Sequence, residues 1–233
     1  MTTPRRALPL ILTVLPSLAA RPAAGADASL MAEGWRCLDV PGRAAARFIG
    51  RPHGMVVMTA ESAVGFLLRS TRQDEVPGGG YRLAWRWRVL AAPAPSDAAT
   101  IGADDRPASV HLLFAGAGRG GGFGAVLRRG LRAGLLGGAF SGRVLTYVWG
   151  GRAPPGTVTA NPHIAPDGVL IVLRGPEAPF GRWHDERVDP AADYRAAFGE
   201  LAPLPTHLAL SADTDDLGGV AMAEVQAPRF LPL

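Results

Sequence analysis

The sequence predicts a mainly β protein: a single β-sandwich domain of jelly-roll type with one short helix near its C-terminal third. Three observations predict it. Tyr81 to Leu90 (YRLAWRWRVL) alternates apolar and polar side chains, short apolar runs bounded by Gly, Pro or Asp recur along the chain, and their connections are rich in proline. A strand points successive side chains to opposite faces, so one half-buried in a sandwich reads with this period of two.

The first 26 residues read as a segment outside that fold. Arg5 and Arg6 supply a positive start, Ala7 to Ala20 is apolar, and Ala24-Gly25-Ala26 offers a small-residue cleavage site. This is the anatomy of a secretory signal, with cleavage expected before Asp27. As a helix the apolar run would reach only about 21 Å, short of a bilayer core of roughly 30 Å. The expectation is an exported domain over 27–233, periplasmic or extracellular, with no transmembrane segment after cleavage.

Charge then gives no argument for one class of partner. The chain has 24 basic and 20 acidic residues, a net of +4. Arg5, Arg6 and Arg21 precede Asp27, so the remainder carries 21 against 20, and nothing in that balance calls for nucleic acid. Every basic residue is arginine, which removes lysine chemistry. Cys37 is the single cysteine, so there is no internal disulfide; it reads as a small buried apolar residue after Trp35.

Along the chain, Met55 to Thr59 and Val64 to Leu68 read as a hairpin around Glu61-Ser62. In Tyr81 to Leu90, Leu83, Trp85, Trp87 and Val89 share one face, and Arg86 and Arg88 the other. Ala108 to Ala115, Val144 to Trp149 and Val169 to Arg174 are further strands. The helix is signalled by Asp189 as N-cap, Pro190 at the first helical position and Gly199 after AADYRAAF. Leu208 to Phe230 reads as strand, turn and strand, with Asp213, Asp215 and Asp216 at one rim before Gly218-Gly219.

Two motifs nearly match known chemistry. Gly116, Gly118 and Gly121 form a G-x-G-x-x-G after a strand, yet no acid occurs between Asp105 and Asp167 to hold a ribose. The stretch 116–142 then reads as a glycine- and arginine-rich loop whose conformation is open. Counting from Asp213, Asp215, Gly218 and Glu224 fall at positions 3, 6 and 12 of an EF-hand loop. Leu217 occupies a ligand position and the flanks look extended, which argues against that geometry. A looser calcium site formed by Asp213, Asp215 and Asp216 stays open, beside the reading in which the acids only shape the turn.

Taken in order, LAWRWRV (Leu83 to Val89), DDRPASVHLLF (Asp104 to Phe114), LTYVWG (Leu145 to Gly150), NPH (Asn161 to His163), DYRAAFGE (Asp193 to Glu200) and SADTDDLGG (Ser211 to Gly219) resemble a bacterial family of exported proteins, domain of unknown function 3047. The resemblance covers about Trp35 to Phe230. It implies one jelly-roll-like domain, similar in outline to carbohydrate-binding sandwiches, and supplies no activity. The stretch 116–142 looks longer and less regular than the family pattern.

The same residues supply the candidate ligand contacts. Trp85 and Trp87 keep apolar company and read as core, which turns Arg86 and Arg88 to the opposite face of the sheet. His111 is expected on an exposed face too, and Arg and His together suit an anionic saccharide or carboxylate. Asp104, Asp105, Asn161 and His163 complete the candidate set as loop and turn residues. No G-x-S-x-G elbow or H-E-x-x-H is present, and in Trp183-His184-Asp185-Glu186 sequence neighbours face opposite sides. The expectation is a non-enzymatic module binding a saccharide or other envelope ligand, without cofactor unless calcium binds. The alternative is a carbohydrate hydrolase or lyase, which would need Asp104 or Asp105 to converge with Asp213 or Asp215 beside Arg86 and His111.

Overall fold

In the six-stranded sheet the strand order is β1 (Gly25–Ala26), β4 (Arg47–Arg51), β5 (Met55–Glu61), β14 (Val220–Pro232), β7 (Tyr81–Ala91) and β12 (His184–Val188). The second, eight-stranded sheet runs β10 (Val158–Ala160), β11 (Gly168–Arg174), β9 (Gly142–Trp149), β8 (Arg106–Ala115), β13 (His207–Asp213), β6 (Ala63–Ser70) and β2 (Arg36–Asp39), with β3 (Ala44–Ala45) also on β6. This computed structural model describes residues 25–115 and 142–233. The expected signal over residues 1–26 lies outside the described residues except for Gly25–Ala26, which form β1 against β4, and the G-x-G-x-x-G stretch lies outside them as well. From β5 to β8, and again from β11 to β14, each successive strand changes sheet, which weaves the two layers in the jelly-roll manner.

That weave corrects the predicted hairpin. Both strands form, but β5 pairs with β4 and β14 while β6 pairs with β13 and β2. The reason is the core. Val56, Met58 and Ala60 of β5 and Leu67 of β6 are all buried in it, and they line it from opposite layers. Ser62, at φ 46°, turns this corner, and its amide donates to the Gly219 carbonyl at 2.9 Å. Likewise β13 and β14 are a strand, a turn and a strand, but in different sheets, so the acidic turn is a corner between layers.

The layers meet on aromatic rings. Burial in β7 alternates as the sequence predicts, with Leu83, Trp85, Trp87 and Val89 inward. Trp87 lies 5.5 Å from Trp149 of β9, and Trp85 lies 5.6 Å from Tyr147, centroid to centroid. Glu186 of β12 accepts a hydrogen bond from Trp87 Nε1 at 2.8 Å and another from Arg174 Nε at 2.7 Å. Cys37 is half-buried against this core rather than enclosed by it, because β2 is the edge strand.

The C-terminal helix forms as its caps require. Asp189 Oδ1 accepts from the Ala192 amide at 3.0 Å, and Gly199 closes the helix in the left-handed region at φ 73°. Tyr194 fixes the helix to β8, with its ring 4.8 Å from Phe114. A second helix, Ala28–Ala32, was not signalled beforehand: five residues give no periodicity, and its cap Asp27 precedes only Ala, Ser, Leu and Met.

Candidate functional site

The predicted site residues other than His111 fall into two places. Asp104, Asp105, Asn161, His163, Asp213, Asp215 and Asp216 gather at one rim of the eight-stranded sheet. Arg86 and Arg88 lie on the outer face of the other sheet. The acids therefore converge, but not beside Arg86.

The rim is built where β8 begins and β13 ends. Register places Asp213 opposite Arg106, after a bulge that follows Ser211. Asp105 accepts from the Asp216 and Leu217 amides at 3.1 and 3.0 Å, so it fastens the corner between β13 and β14. Asp104 is 1% exposed, and its Oδ2 takes hydrogen bonds from Arg106 Nη2 at 3.1 Å and His163 Nε2 at 2.9 Å. Burial alone would raise its pKa. The His163 hydrogen bond and the Arg106 charge outweigh that and hold it below the usual value. Asn161 Oδ1 accepts from the His163 amide at 3.1 Å and sets the turn that delivers the imidazole.

Among the described residues, Arg43, Arg106 and His163 are the basic side chains that pair with these acids. Arg43 pairs with Asp215 at 3.0 Å and Asp216 at 3.2 Å, from a position about half exposed to solvent. Burial, then hydrogen bonding with the Asp215 carboxyl, pushes Asp213 up to about 8. Burial and the Asp215 and Asp104 charges push Asp216 upward as well. Among the described residues, three buried polar atoms here have no hydrogen-bonding partner: Asp104 Oδ1, Arg106 Nη1 and Ser109 Oγ. Carboxylate oxygens of Asp105, Asp215 and Asp216 all lie within 4.8 Å of one another.

His111 corrects its expectation. It does follow the alternation of β8, but it is 4% exposed rather than open to solvent. β8 is a central strand with cover on both faces, as the burial of Ser109 through Phe114 records. The His111 ring nitrogens contact Thr146 Oγ1 at 3.0 Å and Ser211 Oγ at 2.9 Å. Burial, and then the charge of Arg106, lower its pKa to about 3.

The second place is a groove of about 520 Å³ on the outer face of the six-stranded sheet. β7 contributes Ala84 and Arg86, β12 contributes Asp185 and Arg187, β14 contributes Gln226 and Arg229, and His53 also lines it. Arg86 Nε lies 3.6 Å from Asp185 and makes no hydrogen bond among the described residues. The guanidinium groups of Arg86 and Arg88 both rest on the Trp183 ring, each 4.8 Å from its centroid. Arg88 is further held by Glu224 at 2.6 Å, whereas Arg187 and Arg229 are exposed. In β12, His184 stacks inward on Trp149 and Glu186 bonds inward to Trp87, leaving Asp185 outward.

Sequence reasoning missed Arg43, Arg106, Ser109 and Ser211 at the rim, and Trp183, Asp185, Arg187, Gln226 and Arg229 at the groove. Alternation along His184 to Val188 was the available signal for Asp185 and Arg187. Arg43 lies 172 positions from Asp215, and no local pattern carries that contact.

Residues 33–228 match the family described as "Protein of unknown function (DUF3047)". No curated protein matches the chain by sequence. Among solved structures, the chain is similar to the xyloglucanase domain of NopAA, a type three effector from Sinorhizobium fredii, in complex with cellobiose. The TM-score is 0.41 at 6% identity, over 85% of this chain and 94% of that one. A thermo-stable cellulase derived from the Rhodothermus marinus enzyme gives 0.39 at 13% identity, covering 86% and 92%. The K1 cleaved adhesin domain of Lys-gingipain from Porphyromonas gingivalis gives 0.34 at 13% identity, covering 90% and 94%.

Proposed function

The chain belongs to the DUF3047 family, which is of unknown function, and we propose from its geometry that it is a non-enzymatic binding module for an acidic saccharide. The observation that carries this reading is the groove: Arg86, Arg187 and Arg229 line about 520 Å³ of open space together with Gln226 and Asp185. Guanidinium groups recognise carboxylates in bidentate fashion, and an amide and a carboxylate beside them can take sugar hydroxyls. The volume falls within the range of small-ligand sites. Trp183 restrains Arg86 and Arg88 in advance, which reduces the ordering cost of binding. An exported location, the expectation raised by the signal-like residues 1–26, would fit such a ligand. No helix among the described residues is long and apolar enough to cross a membrane.

The acid-pair alternative is supported less well. Glycoside hydrolysis needs two carboxyls about 5–10 Å apart with the sugar between them. At the rim the Asp213 and Asp215 carboxyls are within hydrogen-bonding reach, and Asp104 is buried beneath them.

Calorimetric titration with a galacturonate oligomer and with a neutral cello-oligomer of equal length tests the proposal. The acidic ligand is expected to bind at least about tenfold more tightly, with the difference shrinking as salt is raised. Equal affinities, or no binding of either, would overturn the acidic-saccharide reading.

A further inference from the structure

We propose that Asp105, Asp215 and Asp216, with Asp104 beneath them, form a binding site for a divalent cation of the calcium type. The groove lies on the other sheet, so this inference stands apart from the saccharide reading.

The first ground is donor geometry. Each of the three acids offers a carboxylate oxygen within 4.8 Å of the others. Calcium sits at 2.3–2.6 Å from its oxygens, so donors across one ion are separated by up to about 5 Å. The three side chains are held in place rather than gathered loosely. Asp105 accepts two backbone amides of the turn, and the turn is anchored where Thr214 Oγ1 donates to the Ala63 carbonyl at 3.3 Å.

The second ground is independent of that cluster. Asp104 is 1% exposed, and its Oδ1 has no hydrogen-bonding partner among the described residues. Its Oδ2 is taken by Arg106 and His163, while the carboxyl lies within hydrogen-bonding reach of Asp216. A buried carboxylate oxygen without a donor is costly, and two carboxylates facing one another add repulsion. A cation between them removes both penalties.

Charge gives the same answer. Asp104, Asp105, Asp215 and Asp216 share this corner, among the described residues, with the paired arginines Arg43 and Arg106 and with His163 on Asp104. The donors are all oxygen, without Cys sulfur among the three, which suits a hard ion such as calcium rather than zinc or copper. Arg43 holds Asp215 Oδ2 and Asp216 Oδ1 from the solvent side, so it competes for oxygens that the ion would use.

Thermal unfolding in EDTA, then with 10 mM calcium chloride or magnesium chloride, provides the test. With a dissociation constant of 10⁻⁴–10⁻³ M, usual for extracellular calcium modules, Tm is expected to rise by roughly 3–10 °C in calcium. Magnesium, which demands tighter octahedral geometry, should raise it less. The double variant Asp215→Asn/Asp216→Asn is expected to lose the calcium shift while unfolding no earlier than wild type in EDTA. Should that variant fail to fold, Arg43→Ala leaves every carboxylate in place. By freeing two donor oxygens it should tighten calcium binding roughly three- to tenfold, read by titration. Absence of a calcium shift in wild type, a full shift in the double variant, or unchanged affinity in Arg43→Ala overturns the site.

Discussion

Replacing Trp87 with alanine is expected to lower the unfolding free energy by about 3–5 kcal/mol, the usual cost of deleting a buried large aromatic. Trp87 has no exposed surface, and its ring touches rings of both layers: Trp85 at 5.5 Å within its own sheet and Trp149 at 5.5 Å across the core. The cavity would therefore open on the seam that joins the sheets. The indole Nε1 also donates to Glu186, which keeps Arg174 once the ring is gone. A domain of this size has roughly 5–15 kcal/mol in all, so a large share of the stability is at stake. Urea unfolding checks it. A loss below about 1 kcal/mol would mean that the sheets do not meet on this residue.

Acidification should produce the second large effect, through His111. Its folded pKa, lowered to about 3 by burial first and Arg106 second, lies below the ordinary value of 6.5. Below pH 6.5 the unfolded chain takes up a proton that the folded one refuses. The stabilisation is thus complete above 6.5 and lost as pH falls towards 3. At pH 4 the loss amounts to about 3 kcal/mol. Thr146 and Ser211 contact the ring nitrogens and the Phe66 ring lies 5.5 Å away, a buried setting that disfavours the charged imidazolium. Urea unfolding of wild type and His111→Gln from pH 7 to pH 4 measures this. The wild-type curve should fall more steeply by that amount, and parallel curves would show that His111 does not titrate as described.

Much of the fold was legible because it is written locally. Alternation in Tyr81 to Leu90 fixed which face of β7 is buried, and Asp189, Pro190 and Gly199 marked the helix within a few residues of its ends. What stayed hidden was which sheet each strand joins. A tight turn such as Glu61-Ser62 can close a hairpin or turn a corner between layers, and the choice depends on distant strands. The same limit misplaced His111: alternation identified its face, but only the packing over β8 decides whether that face meets solvent. The acids Asp104, Asp105, Asp213, Asp215 and Asp216 were visible as residues, and their meeting follows from the register of β8 with β13. Arg43, which crowns them, belongs to a loop more than 170 positions earlier. In the groove, Arg86 was readable from β7 alone, whereas Arg187 and Arg229 join it only through the β12–β7–β14 pairing.

The claim that this groove takes an anionic saccharide is tested most directly by removing its cations. Arg86→Ala/Arg229→Ala leaves the inward face of both strands untouched and should fold as wild type does. Titrated with the galacturonate oligomer, wild type should bind, and the double variant should bind at least about tenfold more weakly, in keeping with the loss of two charge-assisted contacts. Equal affinity in the two proteins would contradict the assignment of the groove.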